Sequence, residues 1–155
     1  NSFSKSFSLY GERVGALSVV AATADEAARV LSQLKRVVRT NYSSPQIHGG
    51  KVVATVLTTP ELRTLWEQEL EGMRVRIREM RTEFVQKLKE KAPAQDFAFV
   101  REQVGMFSYS GLTRDQVEHL RKEHSIYAVD TGRICVAALN SKNIDRVIDA
   151  IAKVL

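Results

Sequence analysis

The order of apolar patterns along the chain predicts an α/β fold, and three observations carry that reading. Val14 to Ala22 (VGALSVVAA) is a nearly continuous apolar run, the composition of a strand covered on both faces in a mostly parallel sheet. Leu62, Trp66, Leu70, Met73, Ile77, Met80, Phe84 and Leu88 recur by threes and fours, one apolar stripe on a helix from Pro60 to about Lys91. At 1.5 Å per residue that helix is roughly 45 Å long. Beyond it, short strand-like and helix-like segments alternate.

Each element has a local cause. Thr23-Ala-Asp-Glu26 is a capping box that opens a helix with Ala27, Leu31, Leu34 and Val38 on its apolar face. Asn41 to Gly50 (NYSSPQIHGG) is loop-like, with Pro45 and a glycine pair. Val52, Val53, Val56 and Leu57 suggest a short helix, with a strand as the alternative. Thr59 can cap the long helix, Pro60 suits its first turn and Glu61 its positive end. Pro93 ends it. Phe97–Val100, Met106–Tyr109, Ile126–Val129 and Arg133–Leu139 read as strands. Thr113-Arg-Asp-Gln116 caps a helix to about Glu123, and Asn140 or Ser141 caps a last one with Ile144, Val147, Ile148, Ile151 and Leu155 inward. The expected division is residues 1–59, the end of a larger domain; 60–91, a connecting helix; and 92–155, a small α+β domain.

Bulk composition narrows the function classes. The 155 residues are 44% hydrophobic and 26% charged, as in ordinary globular proteins. The net charge is +5, but bases alternate with acids, as from Glu67 to Arg81, so no nucleic-acid partner is expected. No apolar run has membrane-spanning length, so no membrane partner is expected. The single cysteine, Cys135, has no internal partner, which fits the cytoplasm. Cys135 lies in an apolar strand pattern, and His48, His119 and His124 lack metal-ligand spacing, so no metal is expected. The first residue is not Met and the first few already carry dense chemistry, which suggests a fragment.

That chemistry is the stretch Ser2-Phe-Ser4-Lys5-Ser6-Phe-Ser8-Leu-Tyr10-Gly-Glu-Arg13-Val-Gly15. Arg13 offers a fixed fork of donors and the serines offer hydroxyls, a set suited to phosphate. Lys5, held near cations or desolvated, becomes a nucleophile toward an aldehyde. Taken singly, each is an ordinary loop residue. Ser2-x-x-Lys5 also matches a serine-nucleophile motif, but the Lys-Thr-Gly and Ser-Asp-Asn that accompany it are missing.

The string NSFSKSFSLYGERVGALSV, with its pattern Ser-x-Ser-Lys-x-Phe-x-x-Tyr-x-x-Arg-x-Gly, resembles the cofactor-lysine segment of class I, fold-type I aminotransferases of the aspartate and aromatic-amino-acid branch. The resemblance extends through RTNYSSPQIHGG, the helix from Pro60, VGMFSYSGL and TGRICVAALN, in the family's order and spacing. It implies the C-terminal part of a fold-type I transferase dependent on pyridoxal 5'-phosphate: the end of the large-domain sheet, the connecting helix and the small domain. Lys5 would hold the cofactor as a Schiff base and then carry the substrate Cα proton. Arg13, Ser2 and Ser4 would bind its phosphate, with Tyr10 in a supporting place. Arg133 would clamp the substrate α-carboxylate, and Phe107 would line the pocket. Arg39 would reach into the neighbouring subunit of a homodimer and bind a side-chain carboxylate.

Without the resemblance, Arg133 reads equally as a structural ion pair, Arg39 as a helix-end charge and Phe107 as core. The resemblance places other cofactor contacts upstream of the lysine, so the isolated chain is expected to be inactive. Arg39-Thr-Asn-Tyr-Ser-Ser44-Pro looks closer to the aromatic branch, because aspartate enzymes more often read Tyr-Ser-Asn-Pro there. The expected substrates are tyrosine, phenylalanine and dicarboxylic amino acids with 2-oxoglutarate. Aspartate preference and an inactive binding or dimerisation module stay open.

Overall fold

The computed structural model describes all of residues 1–155. The chain is mainly helical, with one two-stranded sheet. It forms two compact units, Asn1–Leu70 and Glu71–Leu155, and the division falls inside the longest helix.

The first unit opens with a loop, residues 1–15, that closes on itself. Ser2 and Gly15 form an isolated antiparallel bridge, and Ala16 N donates to Asn1 O at 2.9 Å. Only glycine allows this approach: a Cβ at position 15 would lie 2.7 Å from the Asn1 carbonyl oxygen. Helix α1 (Ala24–Asn41) follows. Thr23 Oγ1 accepts from Glu26 N at 3.2 Å as expected, while the Glu26 carboxylate reaches one residue beyond the cap, to Ala22 N at 2.9 Å. Helix α2 (Ile47–Thr58) starts inside the segment expected to be loop, and both glycines of the pair are helical. Gly49 is buried, with room for no Cβ: one would sit 2.9 Å from Glu12 Cβ.

Helix α3 (Pro60–Lys91) has the expected bounds. Thr59 contributes its backbone rather than its side chain, accepting from Arg63 N at 2.9 Å and donating to Thr55 O at 3.1 Å. The apolar stripe is covered unevenly: Leu62 and Met73 are exposed, whereas Phe84 and Leu88 are fully buried.

Val14–Ala22 is not a strand. Apart from the bridge at Gly15 it has no ladder partner, and Val20 is 98% exposed. A strand exists only where a neighbour takes its N–H and C=O groups, and Asn1–Leu70 holds no second edge.

The second unit has its own core. Phe84 and Leu88 of α3 pack with residues of α4 (Ala98–Arg101), α5 (Arg114–His124) and α6 (Ile144–Val154), including Val100, Leu120, Ile148 and Ile151. Burying each such side chain contributes about 1.5–3 kcal/mol. Strands β1 (Phe107–Tyr109) and β2 (Arg133–Cys135) pair antiparallel, with Phe107 opposite Cys135 and Tyr109 opposite Arg133. The Thr113–Gln116 capping box at α5 is complete, with backbone-to-side-chain bonds of 2.9 and 3.3 Å.

Four other expectations change here. Phe97–Val100 is a helical turn, started by Asp96 Oδ1 accepting from Ala98 N at 2.8 Å, and the three-residue spacing buries both Phe97 and Val100. Ile126–Val129 makes no ladder and runs into a turn closed by Gly132 N donating to Val129 O at 2.8 Å. The strand from Arg133 stops at Cys135 and winds into a 3₁₀ turn, Val136–Ala138. At α6 the amide of Asn143 caps no helical N–H but accepts from Asn140 N at 2.8 Å, and Leu155 stays exposed.

Candidate active site

The opening loop gathers five of the eight residues singled out in the sequence. Its turns are closed by Phe7 N to Phe3 O, Ser8 N to Lys5 O and Glu12 N to Leu9 O, each 3.2 Å. Ser8 and Arg13 sit in the left-handed region, at φ 54° and 51°. Such backbone costs about 1–3 kcal/mol per residue and persists only where the surroundings impose it. Those surroundings are aromatic and polar. Phe7 stacks on Trp66 with ring centroids 4.6 Å apart and meets Phe3 edge-on at 5.4 Å. Trp66 Nε1 donates to Ser6 O at 2.7 Å, and His48 Nδ1 lies 3.1 Å from a Glu12 carboxylate oxygen.

On this frame two contact groups form. Lys5 Nζ lies 4.3 Å from the Tyr10 ring centroid, and the Arg13 guanidinium carbon lies 5.4 Å from the same ring. Arg13 Nη1 also donates to Tyr10 O at 3.0 Å. The Ser2 and Ser4 hydroxyls are 3.2 Å apart, and Ser4 N donates to Ser2 Oγ at 3.3 Å. Neither Lys5 nor Arg13 is paired with a carboxylate; the loop's one acid, Glu12, is engaged by His48. Two uncompensated cations and two hydroxyls in one closed loop form a set able to receive a phosphorylated aldehyde.

Arg39 lies in the last turn of α1, exposed, where the helix dipole favours a cation. Its Nη1 donates to Ser43 Oγ at 2.7 Å, at its own end of the helix.

In the second unit the β1–β2 ribbon joins Phe107 and Arg133, whose guanidinium carbon lies 5.1 Å from the Phe107 ring centroid. Phe107 is not core. It is 43% exposed and Tyr109 56%, while Ser108 and Ser110 are buried. Arg133 has no carboxylate partner, so the structural ion pair is not made. The turn before it is tightly fixed. Gly132, at φ +81°, has no space for a Cβ, which would lie 2.6 Å from Leu112 O. Its carbonyl accepts from Ser110 N at 2.9 Å and Ser110 Oγ at 2.6 Å. Arg121 Nη2 donates to Asp130 Oδ1 at 2.7 Å, a bond that holds the Asp130 carboxyl below its ordinary value.

Several supporting residues escape a sequence reading. Trp66 reads as one more position of an apolar stripe, yet its indole N–H ties the opening loop to α3. Ser110 and Gly132 form one joint from 22 residues apart, and no local pattern links them. The alternation Phe107-Ser108-Tyr109-Ser110 is visible, but pattern alone turns its aromatics inward.

Known proteins resemble this chain over its whole length. The family described as aminotransferase class I and II matches residues 1–151. An aspartate aminotransferase of Pseudomonas aeruginosa is 64% identical over the whole chain, and an aromatic-amino-acid aminotransferase of Escherichia coli is 52% identical over the same span. The chain covers 39% of the length of each. The crystal structure of an aromatic-amino-acid aminotransferase from Burkholderia pseudomallei, covalently bound to pyridoxal phosphate, matches 99% of the chain with a TM-score of 0.94 and 66% identity, and the match covers 39% of that protein. With a family match over residues 1–151 and relatives more than half identical along the whole chain, the chain belongs to the class I and II aminotransferases.

Proposed function

We propose that this chain is the C-terminal part of a pyridoxal-phosphate-dependent transaminase that exchanges an amino group between an amino acid and a 2-oxo acid. The observation that carries the proposal is the opening loop, where Lys5 and Arg13 approach one Tyr10 ring and neither meets a carboxylate. In this reading residues 1–59 belong to the large domain, 60–91 form the connecting helix and 92–155 form the small domain.

The residues fit the cofactor. Lys5 would hold it covalently through Nζ, and Arg13 would bind its phosphate together with the Ser2 and Ser4 hydroxyls. Tyr10, in contact with both cations, steadies them. When bound, the cofactor would supply the electron sink for removal of the substrate Cα proton. The Lys5 amine would carry that proton. Arg133 takes the α-carboxylate in a two-bond fork, with Phe107 beside it. Arg39 serves the second carboxylate of a dicarboxylic substrate in the partner subunit's site, which makes the working form a homodimer. The lone cysteine supports a cytoplasmic setting.

The favoured substrates are tyrosine and phenylalanine as well as dicarboxylic amino acids, with 2-oxoglutarate as acceptor. Aspartate preference is the second reading, favoured by the 64% identity to an enzyme named for aspartate.

The decisive experiment is chemical fixation of the cofactor. Full-length protein loaded with pyridoxal phosphate and reduced with borohydride should carry the cofactor on the peptide containing Lys5, and Lys5→Ala should abolish both the label and turnover. Labelling elsewhere, or none, sinks the assignment. The 155 residues alone should show no turnover.

A further inference from the structure

The polar side chains buried in this chain number three, Arg81, Ser108 and Ser110, and two of them belong to one contact. Arg81 Nε donates to Ser108 Oγ at 3.2 Å, and Arg81 Nη2 donates to Gly105 O at 2.7 Å. Arg81 is 5% exposed and pairs with no acid. Burial pushes its guanidinium below the ordinary value, yet arginine remains charged. A buried charge without a counter-ion is costly, and an apolar side chain commonly serves stability better at such a place. The contact therefore has to be explained by what it orients.

What it orients is a strand with weak claims to its own register. The sheet has two strands, each of three residues, and a one-residue slip would exchange the two faces of β1. Hydrophobicity alone favours the exchanged state, with Phe107 and Tyr109 inside and the serines outside. The observed state is the reverse. Arg81 gives the inward Ser108 hydroxyl a partner and holds the Gly105 carbonyl just before the strand. Gln103 fastens Tyr109 from the side, accepting from its N–H at 2.7 Å and donating to its carbonyl at 2.9 Å.

We propose that Arg81 is a positioning residue for the substrate clamp: through Ser108 and Gly105 it keeps β1 in the register that turns Phe107 outward against Arg133. This rests on the reading of Arg133 as the α-carboxylate clamp. Arg81 touches no substrate; it acts on carboxylate binding by fixing the strand that carries Phe107.

The test uses full-length holoenzyme with four variants: Arg81→Met, Arg81→Lys, Ser108→Ala and Arg133→Lys. Measurements are KM and kcat for aspartate, calorimetric Kd for succinate, cofactor absorbance and thermal unfolding. Arg81→Met should raise KM and the succinate Kd about tenfold, since small misplacements of binding groups cost that much or more. Cofactor uptake should be unchanged and kcat should stay within about twofold, the pattern of lost ground-state binding. Arg81→Lys should recover part of the loss, because an ammonium can reach one of the two acceptors. Ser108→Ala should show the same KM effect in weaker form. If Arg81→Met does not fold, Ser108→Ala decides alone. A lower Tm with unchanged KM and Kd in these variants makes Arg81 merely structural and overturns the proposal. Arg133→Lys separates the two failures. If it raises KM and the others do not, the positioning role falls alone; if it too leaves KM unchanged, the clamp reading falls and the positioning role with it.

Discussion

Arg39 stands exposed at the end of α1 with the Ser43 hydroxyl as its one partner. A guanidinium so placed keeps most of its donors free for an incoming carboxylate. A hydrogen bond to a charged group contributes about 1.5–3 kcal/mol, so Arg39→Ala should lower kcat/KM for aspartate between about tenfold and about a hundredfold. Tyrosine carries no second carboxylate, and its kcat/KM should change by less than about threefold. Steady-state rates on the two amino acids check this, and equal losses would assign Arg39 to the fold. At this scale the local grouping of the candidate residues was legible. Lys5, Arg13, Ser2 and Ser4 fall within one short stretch, so their meeting follows from local chain length. Arg81 was not legible, because its partners lie 24 and 27 residues away and its sequence context is one more charge on a mixed helix face. The exposure of Phe107 was not legible from its alternation, which reads as core; only the resemblance assigned it to a pocket.

The elements divide by whether their cause is local. Capping boxes at Thr23 and Thr113 and the stripe from Leu62 each named a helix that the fold contains, because caps and apolar spacing act within a few residues. Strands depend on a distant partner: Val14–Ala22 and Ile126–Val129 found none, Phe97–Val100 became a helical turn, and the strand from Arg133 stopped at Cys135. The two capped helices also differ in what their caps support. Helix α5 buries Val117 and Leu120, whereas α1 buries nothing. Thr113→Ala should therefore lower the stability of the second unit by about 1 kcal/mol, read as an earlier denaturation midpoint with an unchanged slope. Thr23→Ala removes the same kind of bond but should leave that midpoint alone and show itself as faster amide exchange in the first turn of α1. A midpoint shift of equal size from both would mean that the two helices unfold together.

For the molecule as a whole, the two units are unequally supplied with core. Buried apolar side chains cluster in Glu71–Leu155, while the first unit buries Val53 and leaves Leu17, Val20, Leu31 and Ile47 open. The segment Val14–Ala22 has the composition of a strand buried on both faces, yet in these 155 residues it has neither a ladder nor a covering layer. If the chain works as part of a transaminase 39% accounted for by its length, the missing edge belongs to the remaining sequence. Backbone amides of Val14–Ala22 should then exchange at close to unfolded-chain rates in the 155-residue chain. In the full-length protein they should be slowed by the several kcal/mol that protect core strands. Amides of α5 and α6 should be protected in both, since their core is internal to the second unit. Hydrogen exchange read by mass spectrometry on the two proteins separates the possibilities. Rapid exchange of Val14–Ala22 in both would show that its apolar run is no strand at all, and the large-domain assignment of residues 1–59 would lose its main support.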